Sequence, residues 1–308
     1  MIYEFALEPE AVATWVDRTQ WRFFRDKFGL GCPRVPSRCP KAWRKQVYEA
    51  LHSASDMDRA RLEEIIVRLS ECTVRRPDIA WDGDKPWLEN AQTEHSRAPF
   101  RAMLATSNPS GHPAVLVVED LEEDNPLWDV PRGRLVSRSA ADLAGALSPM
   151  LRLAEEIVFV DPHFGPENRR HREPLKAFLR AATCDRPGAA LRRVEVQCAA
   201  DSTSTMEFFR GECLRSLPRC IPQGIRVDLI RLRERQPDGE KLHNRYLLTN
   251  LGGVSVGIGL DEGPGTQFDD LNVLTREQYE KRWKQYCSDD PEFERPEGVL
   301  GIQGEAAH

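Results

Sequence analysis

No stretch of this 308-residue sequence approaches the roughly 20 consecutive apolar residues that a membrane-spanning helix needs. The best run, residues 113–118, has only the length of a strand, and residues 1–5 lack the basic region that begins a secretory signal. With 40% hydrophobic residues, 12 Phe and 7 Trp, the chain is nevertheless too apolar to be disordered. These features predict a folded, cytoplasmic protein without a transmembrane segment.

The sequence also has no Cys-x-x-Cys pair among its eight cysteines, and no histidine stands at zinc-finger spacing from the close pairs 32/39 and 213/220. We therefore expect no structural metal site and no cofactor. Because nothing else indicates secretion, we expect reduced thiols, most of them buried. A formal charge of -6 argues against a basic protein that coats DNA, although it leaves room for a local basic patch.

The pattern of apolar residues divides the chain into four parts. Helical spacing over residues 1–95 predicts a helical domain, and residues 96–138 read as a connector. Helices and strands alternate over residues 139–288, which is typical of an α/β domain with a largely parallel sheet. The acidic, Pro- and Gly-bearing residues 289–308 predict a flexible tail. The fold class is therefore α/β in the C-terminal part and α+β overall.

Within the connector, two strand-like segments, 101–105 and 114–118, flank the sequence Asn-Pro-Ser-Gly at 108–111. Turn residues between two short apolar runs are a hairpin signal, so we expect these segments to pair antiparallel.

The N-terminal part concentrates positive charge. Residues 15–46 contain nine Lys and Arg against Asp17 and Asp26, interleaved with Trp and Phe. Basic residues mixed with aromatics suit contacts to a nucleic-acid backbone and its bases. Aromatics at helical spacing are also typical of a protein core, in which case the charges alone would form the surface.

The most informative stretch lies between residues 241 and 261. His243 and Arg245 stand two residues apart in a strand-like segment, so that both would project from one face and bind an anion. Gly257 and Gly259 follow in a second strand, where the missing side chains would let the backbone approach a ligand.

This stretch resembles the phospholipase D superfamily, whose half-motif is His-x-Lys, four residues, then Asp, followed by a Gly-rich strand. The corresponding positions here are His243-x-Arg245, Asn250 and the segment from Gly257 to Gly259. The closest similarity is to the phospholipase-D-like C-terminal module of MIT-domain proteins, and it covers about residues 139–287. The resemblance implies His243, Arg245 and Asn250 as catalytic positions, with His243, Arg245, Gly257 and Gly259 at the phosphate.

In active members of the superfamily, one His attacks phosphorus and the His of a second motif protonates the leaving oxygen, without a metal ion. This sequence has Arg in place of Lys and Asn in place of Asp, and it contains no His-x-Lys. The resemblance therefore implies a homodimer that joins two copies of His243, or else a module that binds without cleaving.

Three further residues could support the site: Asp161 and His163, which follow the apolar run 157–160, and Asp261. Asp161-Pro162 is also a common turn, and a His beside an Arg is often a structural pair. The basic loop 163–172 is either a solvated face or a phosphate contact. A further alternative is a metal-dependent nuclease that uses Asp161 with Glu195 and Gln197.

The sequence thus predicts a phospholipase-D-like protein that binds, and in an active dimer cleaves, a phosphodiester polyanion, with nucleic acid as the expected partner. The resemblance suggests a bacterial antiviral-defence or nucleic-acid-processing role, within a homodimer or a larger assembly. The alternative is a catalytically inactive interaction module that binds a protein partner or acidic lipid headgroups.

Overall fold

The computed structural model describes residues 1–51, 54–200, 205–236 and 239–306. The chain forms two compact units, and each has its own sheet. The N-terminal unit contains Ile2–Arg132 and Pro187–Ala189, and the C-terminal unit contains Met1, Gly133–Arg186 and the residues from Ala190 onward. Helices and sheets together confirm the α/β class. No helix within the described ranges is both long and apolar enough to cross a membrane.

The N-terminal unit is built on a five-stranded sheet in the order β3-β2-β1-β4-β5, and every neighbouring pair is parallel. The chain therefore adds strands on one side of β1 and then crosses to the other. The strands are β1 (Tyr3–Leu7), β2 (Arg34–Arg38), β3 (Val74–Arg75), β4 (Ala102–Ala105) and β5 (Val115–Val117), and the helices are α1 (Pro9–Thr14), α2 (Arg18–Phe24), α3 (Trp43–Ala50), α4 (Asp56–Ser70) and α5 (Trp87–Arg97).

The predicted helical domain over residues 1–95 is corrected by this sheet, because β1, β2 and β3 lie inside that range. β1 is almost entirely buried, and a short buried strand has no polar alternation that would distinguish it from a helix turn. The connector predicted over residues 96–138 is likewise part of this unit up to Arg132.

The hairpin predicted over segments 101–105 and 114–118 is also wrong. Met103 faces Val115 and Ala105 faces Val117, so β4 and β5 run parallel. The amide of Gly111 donates to the carbonyl of Asn108 at 3.2 Å, so the turn at 108–111 exists, but it lies inside a loop that crosses back to the start of the sheet. A turn signal predicts a change of direction without specifying how many changes the loop makes.

The aromatic residues of the basic region 15–46 form the core of this unit. Trp15, Phe24 and Phe28 are buried and pack together, with ring centroids of Trp15 and Phe24 4.1 Å apart. This confirms the core interpretation of the aromatics and leaves the charges at the surface.

The C-terminal unit contains an eight-stranded sheet in the order β13-β9-β8-β7-β10-β11-β12-β6. Only β7, β8 and β9 are mutually parallel, so the largely parallel sheet that was predicted is in fact mixed. The strands are β6 (Gly133–Ser137), β7 (Glu156–Val160), β8 (Arg193–Ala199), β9 (Arg226–Leu232), β10 (Arg245–Thr249), β11 (Gly252–Val256), β12 (Phe268–Val273) and β13 (Val299–Gln303), and the helices are α6 (Ala140–Leu151), α7 (Arg169–Thr183), α8 (Met206–Ser216) and α9 (Arg276–Cys287).

The flexible tail predicted over residues 289–308 is corrected as well, apart from residues 307–308, which lie outside the described residues. β13 pairs antiparallel with β9, and Ile302 on it is buried. Phe293 is buried against Tyr286, with ring centroids 5.1 Å apart. Backbone pairing at a sheet edge requires few apolar side chains, so an acidic composition does not exclude it.

The strand directions bring several predicted site residues to one side of this sheet. β10 is antiparallel to β7, with Tyr246 facing Val160, so β10 begins where β7 ends. β11 is antiparallel to β10, with Val256 facing Arg245, so β11 ends at the same side. We call this side, where Asp161, Arg245 and Gly257 lie, the Asp161 edge.

Candidate functional site

His243 and Arg245 both lie at the Asp161 edge, but not as neighbours on one strand face. β10 begins at Arg245, and His243 is in the turn before it, where its amide donates to the carbonyl of Lys241 at 3.0 Å. Arg245 donates from Nη1 to the carbonyl of His243 at 3.1 Å. The guanidinium therefore holds the turn in place, and the His243 side chain is exposed to solvent.

Arg245 itself is half-buried, and its Nε is a buried donor with no hydrogen-bond acceptor among the described residues. A guanidinium that is anchored at one nitrogen and unsatisfied at another is suited to donate hydrogen bonds to an anionic oxygen.

Asn250, predicted as catalytic, lies at the opposite side of the sheet. It follows the last residue of β10, so it is roughly 17 Å from the start of that strand. Its Oδ1 accepts from the amides of Glu155 and Glu156, at 2.8 and 3.1 Å. The position therefore joins β10 to the start of β7, and it does not meet His243.

Gly257 and Gly259 lie at the Asp161 edge as predicted, but the backbone amides of this segment are already hydrogen-bonded to other groups of the protein. Asp269, buried on β12, accepts from the amides of Ile258 at 3.0 Å and of Gly259 at 3.2 Å. The amide of Gly257 donates to the backbone carbonyl of Asp270, and that of Leu260 donates to the carboxylate of Asp161. Four consecutive amides are thus satisfied internally, and this segment has none of them free for a phosphate.

The two glycines are required by the close approach of these carboxylates. A Cβ on Gly257 would stand 2.7 Å from Oδ1 of Asp269, and one on Gly259 would stand 2.4 Å from Oδ1 of Asp261. The predicted need for a close approach was correct, but the approaching group belongs to the protein.

Asp161 organises the edge through the backbone. Its carboxylate is buried and accepts from the amides of His163 and Leu260, both at 3.0 Å. The amide of Phe164 donates to the carbonyl of Asp161 at 3.1 Å, which confirms the turn at Asp161-Pro162. Asp161 therefore joins the end of β7 to the segment after β11, and its carboxylate oxygens bind amides rather than His243.

Asp261 pairs with two arginines. Its carboxylate contacts the buried Arg138, which also donates from Nη1 to Gln267 at 3.0 Å, and lies 3.5 Å from Nε of the exposed Arg170. Arg138 was missed by the sequence analysis, as was Asp269. Asp269 lies two residues before the buried Leu271 on β12, and Arg138, directly after β6, lies two residues beyond the buried Val136. This spacing of two was the local signal by which both could have been found.

The basic loop 163–172 divides into an internal and an exposed part. His171 is buried, and its Nδ1 accepts from the amide of Gly165 at 2.9 Å. Arg172 donates to the carbonyls of Pro166 and Glu167, at 2.8 and 2.7 Å. The remaining basic residues, His163, Arg169 and Arg170, are exposed.

The alternative metal-dependent site is not formed. Glu195 is bound by Arg193 at 2.6 Å and by Gln197 at 2.7 Å, and Gln197 also donates to the carbonyl of Tyr286 at 3.0 Å. These side chains are bonded to one another inside the unit. Over the described ranges, no group of three or more His, Cys, Asp or Glu side chains is arranged to hold a metal ion.

No known family model and no curated protein sequence matches this chain.

Proposed function

We propose that this chain binds a phosphodiester polyanion, in the first place nucleic acid, at the Asp161 edge of its C-terminal unit. The observation that carries the proposal is the separation of charges there. The carboxylates of Asp161 and Asp269 are buried on backbone amides, whereas His243, Arg169 and Arg170 are exposed. These exposed groups contribute positive potential and hydrogen-bond donors to the surface that an anion approaches.

Arg245 and His243 are the proposed contacts at the phosphate. One N–H of the Arg245 guanidinium is used by the His243 carbonyl, and further N–H groups remain for a phosphate oxygen. The exposed imidazole supplies either a donor or a nucleophilic nitrogen at the same place.

The proposal extends from binding to cleavage of the polyanion, and the resemblance to the phospholipase D superfamily supports this extension. A ring nitrogen of His243 attacks phosphorus, and the P–O bond to the departing oxygen breaks while His243 of a second copy gives that oxygen a proton. Water then hydrolyses the phosphohistidine, its proton returns to the second His243, and both histidines are restored. The mechanism needs a second motif histidine, and the sequence contains no His-x-Lys that could provide one. The second histidine therefore has to come from another copy of the chain.

Binding without cleavage, as an interaction module for a protein partner or for acidic lipid headgroups, is the second candidate. It is favoured by the internally satisfied amides of Gly257, Ile258, Gly259 and Leu260. An active site gains much of its rate from hydrogen-bond donors aimed at the charge that develops in the transition state. These four amides are already bonded within the protein and cannot act as such donors.

The test uses the full chain with EDTA and labelled single- and double-stranded DNA and RNA. His243→Ala removes the proposed nucleophile, and Arg169→Ser/Arg170→Ser removes two exposed cations from the edge. Arg180→Ser is the matched control, because Arg180 is exposed on the same helix, about 17 Å further along its axis.

We expect the double variant to weaken binding and to lower the slope of log K against log salt by about 1.4 to 1.8, while Arg180→Ser stays near wild type. Cleavage that His243→Ala abolishes supports the dimeric mechanism. Equal affinity in wild type and double variant contradicts the proposal. In that case, binding to phosphatidylserine vesicles tests the lipid form of the second candidate.

A further inference from the structure

Two adjoining cavities lie at the carboxyl edge of the N-terminal sheet. All five strands are parallel, so their carboxyl ends share one side, and β1 lies where the chain order reverses. In open α/β sheets ligands bind in the crevice outside this side, next to the reversal point. Glu10 follows β1 by a few residues, Arg38 ends β2, and α3 separates the two cavities.

The first cavity has a volume of about 370 Å³ and is lined by two tryptophans, Trp81 and Trp87, opposite residues of α1 and α3. The ring centroids of the tryptophans are 6.4 Å apart, and Trp87 is held by a hydrogen bond of 2.8 Å from its Nε1 to the carbonyl of Cys39. This volume lies within the usual range of small-molecule sites. Two large flat rings at its wall favour a flat aromatic ligand.

The polar groups of this cavity are mainly acceptors. Glu10 and Glu49 contribute carboxylates, and Lys85 is the cation of the lining. Gln46 also lines it, and its Oε1 is buried without a hydrogen-bond donor among the described residues. Buried acceptors are nearly always satisfied in folded proteins, so this oxygen is the strongest sign that a ligand N–H belongs here.

The second cavity is a shallow, open groove on the other side of α3, and it is lined mainly by basic residues. Four cations line it, of which Arg44 pairs with Glu63 and Lys45 with Glu49, each at 3.4 Å. α3 begins here after Ala42, whose methyl group cannot cap the helix; the amide of Trp43 donates to the carbonyl of Pro40 at 2.9 Å, and the helix dipole adds to the positive potential. The cations are Arg38, Lys41, Arg44 and Lys45, and Tyr48 completes the wall.

Glu49 lines both cavities, so the aromatic pocket and the basic groove meet on α3. A pocket for one flat ring that adjoins a groove for negative charge matches the repeating unit of a polynucleotide. A duplex keeps its bases stacked inside, and only a single strand can stack a base against a tryptophan of this pocket while its backbone follows a basic groove.

We propose that the N-terminal unit binds single-stranded nucleic acid, with one base in the pocket of Trp81 and Trp87 and the neighbouring phosphates in the groove of Arg38, Lys41, Arg44 and Lys45. The acceptors Gln46 and Glu49 favour bases with an exocyclic amino group, adenine and cytosine, over thymine. This site lies in a different unit from the Asp161 edge and does not rest on the function proposed there.

The experiment measures fluorescence anisotropy of labelled oligo(dA), oligo(dC), oligo(dT) and a duplex with the full chain. To separate the two proposals, every variant is made in wild type and in the His243→Ala/Arg169→Ser/Arg170→Ser background. Lys41→Ser/Lys45→Ser removes groove cations, and Arg22→Ser, an exposed cation of α2 outside the cavity linings, is the matched control.

We expect Lys41→Ser/Lys45→Ser to weaken binding to all three single strands and to lower the salt slope by about 1.4, while Arg22→Ser changes neither. Trp81→Leu should weaken single-strand binding by about 5- to 150-fold, the range for one stacked base. Gln46→Met keeps the side-chain length but removes the acceptor, and it should reduce the preference for oligo(dC) over oligo(dT).

Three outcomes overturn the proposal. Two are measured in the His243→Ala/Arg169→Ser/Arg170→Ser background: tighter binding to duplex than to single strands, and unchanged affinity in Lys41→Ser/Lys45→Ser. The third is binding that disappears entirely in that background. The last would assign the affinity to the Asp161 edge alone. Trp81 is half-buried, so its substitution can destabilise the unit. If Trp81→Leu lowers the melting temperature, the test depends on Lys41→Ser/Lys45→Ser, which changes exposed side chains only.

Discussion

Gly259 is required because Asp261 stands where its Cβ would be. In Gly259→Ala the carboxylate has to move away from Arg138, with which it forms an almost buried ion pair. We expect a loss of about 1–3 kcal/mol in the free energy of unfolding, measured by urea denaturation. Gly145→Ala is the control: nothing lies within 4 Å of its Cβ inside α6, so it should gain roughly 0.5–1 kcal/mol. Equal effects of the two would contradict this view of Gly259.

Arg76 is the charged centre of the N-terminal unit. Its guanidinium, fully buried, binds Glu4 through two N–H groups at 2.9 and 2.6 Å and Glu94 at 2.7 Å. Arg76→Met leaves the buried carboxylate of Glu4 without its arginine and Glu94 with Arg97 alone, which should cost about 3–5 kcal/mol of unfolding free energy. Arg97→Met removes a partner of the same Glu94, but Arg97 is 46% exposed, so a far smaller loss is expected in the same urea titration.

The same cluster predicts a response to acid. Burial raises the pKa of the Glu94 carboxyl, but hydrogen bonds from Arg97 and Arg76 outweigh burial and lower that pKa below its usual 4.5. The unfolded chain then binds the proton more readily, so Glu94 stabilises the fold above about pH 4.5 and this contribution is lost as the pH falls through the lowered pKa. In Glu94→Gln the melting temperature should therefore be lower at pH 7 but fall less between pH 5 and pH 3 than in wild type. Parallel melting curves against pH would refute this assignment.

Single residues were predictable where the pattern was local. His243 and Arg245, two positions apart, were identified from the sequence and do lie at one edge. Asn250 was placed with them because the motif spans it, although a strand of five residues carries it to the opposite side. Asp269 and Arg138 reach the edge through pairing of β12 with β6 and β11, contacts that no local pattern contains.

β13 tests how much an edge strand contributes. Ile302 is 2% exposed, whereas Val299 on the same strand is 51% exposed. Ile302→Ala should cost about 2–4 kcal/mol of unfolding free energy, and Val299→Ala less than about 0.5 kcal/mol, both by urea denaturation. If Ile302→Ala unfolds at the wild-type urea concentration, residues 289–306 behave as the flexible tail that composition suggested.

The elements show where local signals were sufficient. Ser139 directly precedes α6 and caps it, since its hydroxyl accepts the amide of Asp142 at 3.1 Å, and such a cap is a local signal. α4 carries the apolar stripe of Leu62, Ile65, Ile66 and Leu69, all buried. β4 and β5 show the limit: both segments were identified as strands, but their relative direction was wrong, because it depends on how the loop between them crosses the sheet.

None of the eight cysteines, all within the described ranges, forms a disulfide, and five are buried. Burial raises the pKa of Cys39 to about 12, which suppresses its thiolate. Cys184 is exposed. With limited iodoacetamide at pH 8, intact mass spectrometry should show one fast adduct that Cys184→Ser abolishes, and eight adducts after denaturation in urea. A fast first adduct that persists in Cys184→Ser would contradict the burial pattern.

The protein has a formal charge of -6, and yet we propose a polyanion-binding site in each of its two units. The arrangement of charge within each unit explains how this is possible. At the Asp161 edge the acidic side chains of Asp161 and Asp269 are turned inward onto amides. In the N-terminal unit, the aromatic residues of region 15–46 are core, and Trp81 and Trp87, outside that region, line a cavity that Glu49 shares with the groove of its charges.

Composition and local periodicity were enough to establish an α/β protein, a C-terminal alternation of helices and strands, and the candidate pair His243 and Arg245, because these depend on residues close together along the chain. The parallel N-terminal sheet, the ordered β13, the separation of Asn250 from His243 and the junction of two cavities at Glu49 depend on pairing between distant segments. The free energy of such pairing comes from backbone hydrogen bonds and burial summed over the whole unit, and no short stretch of sequence contains that sum.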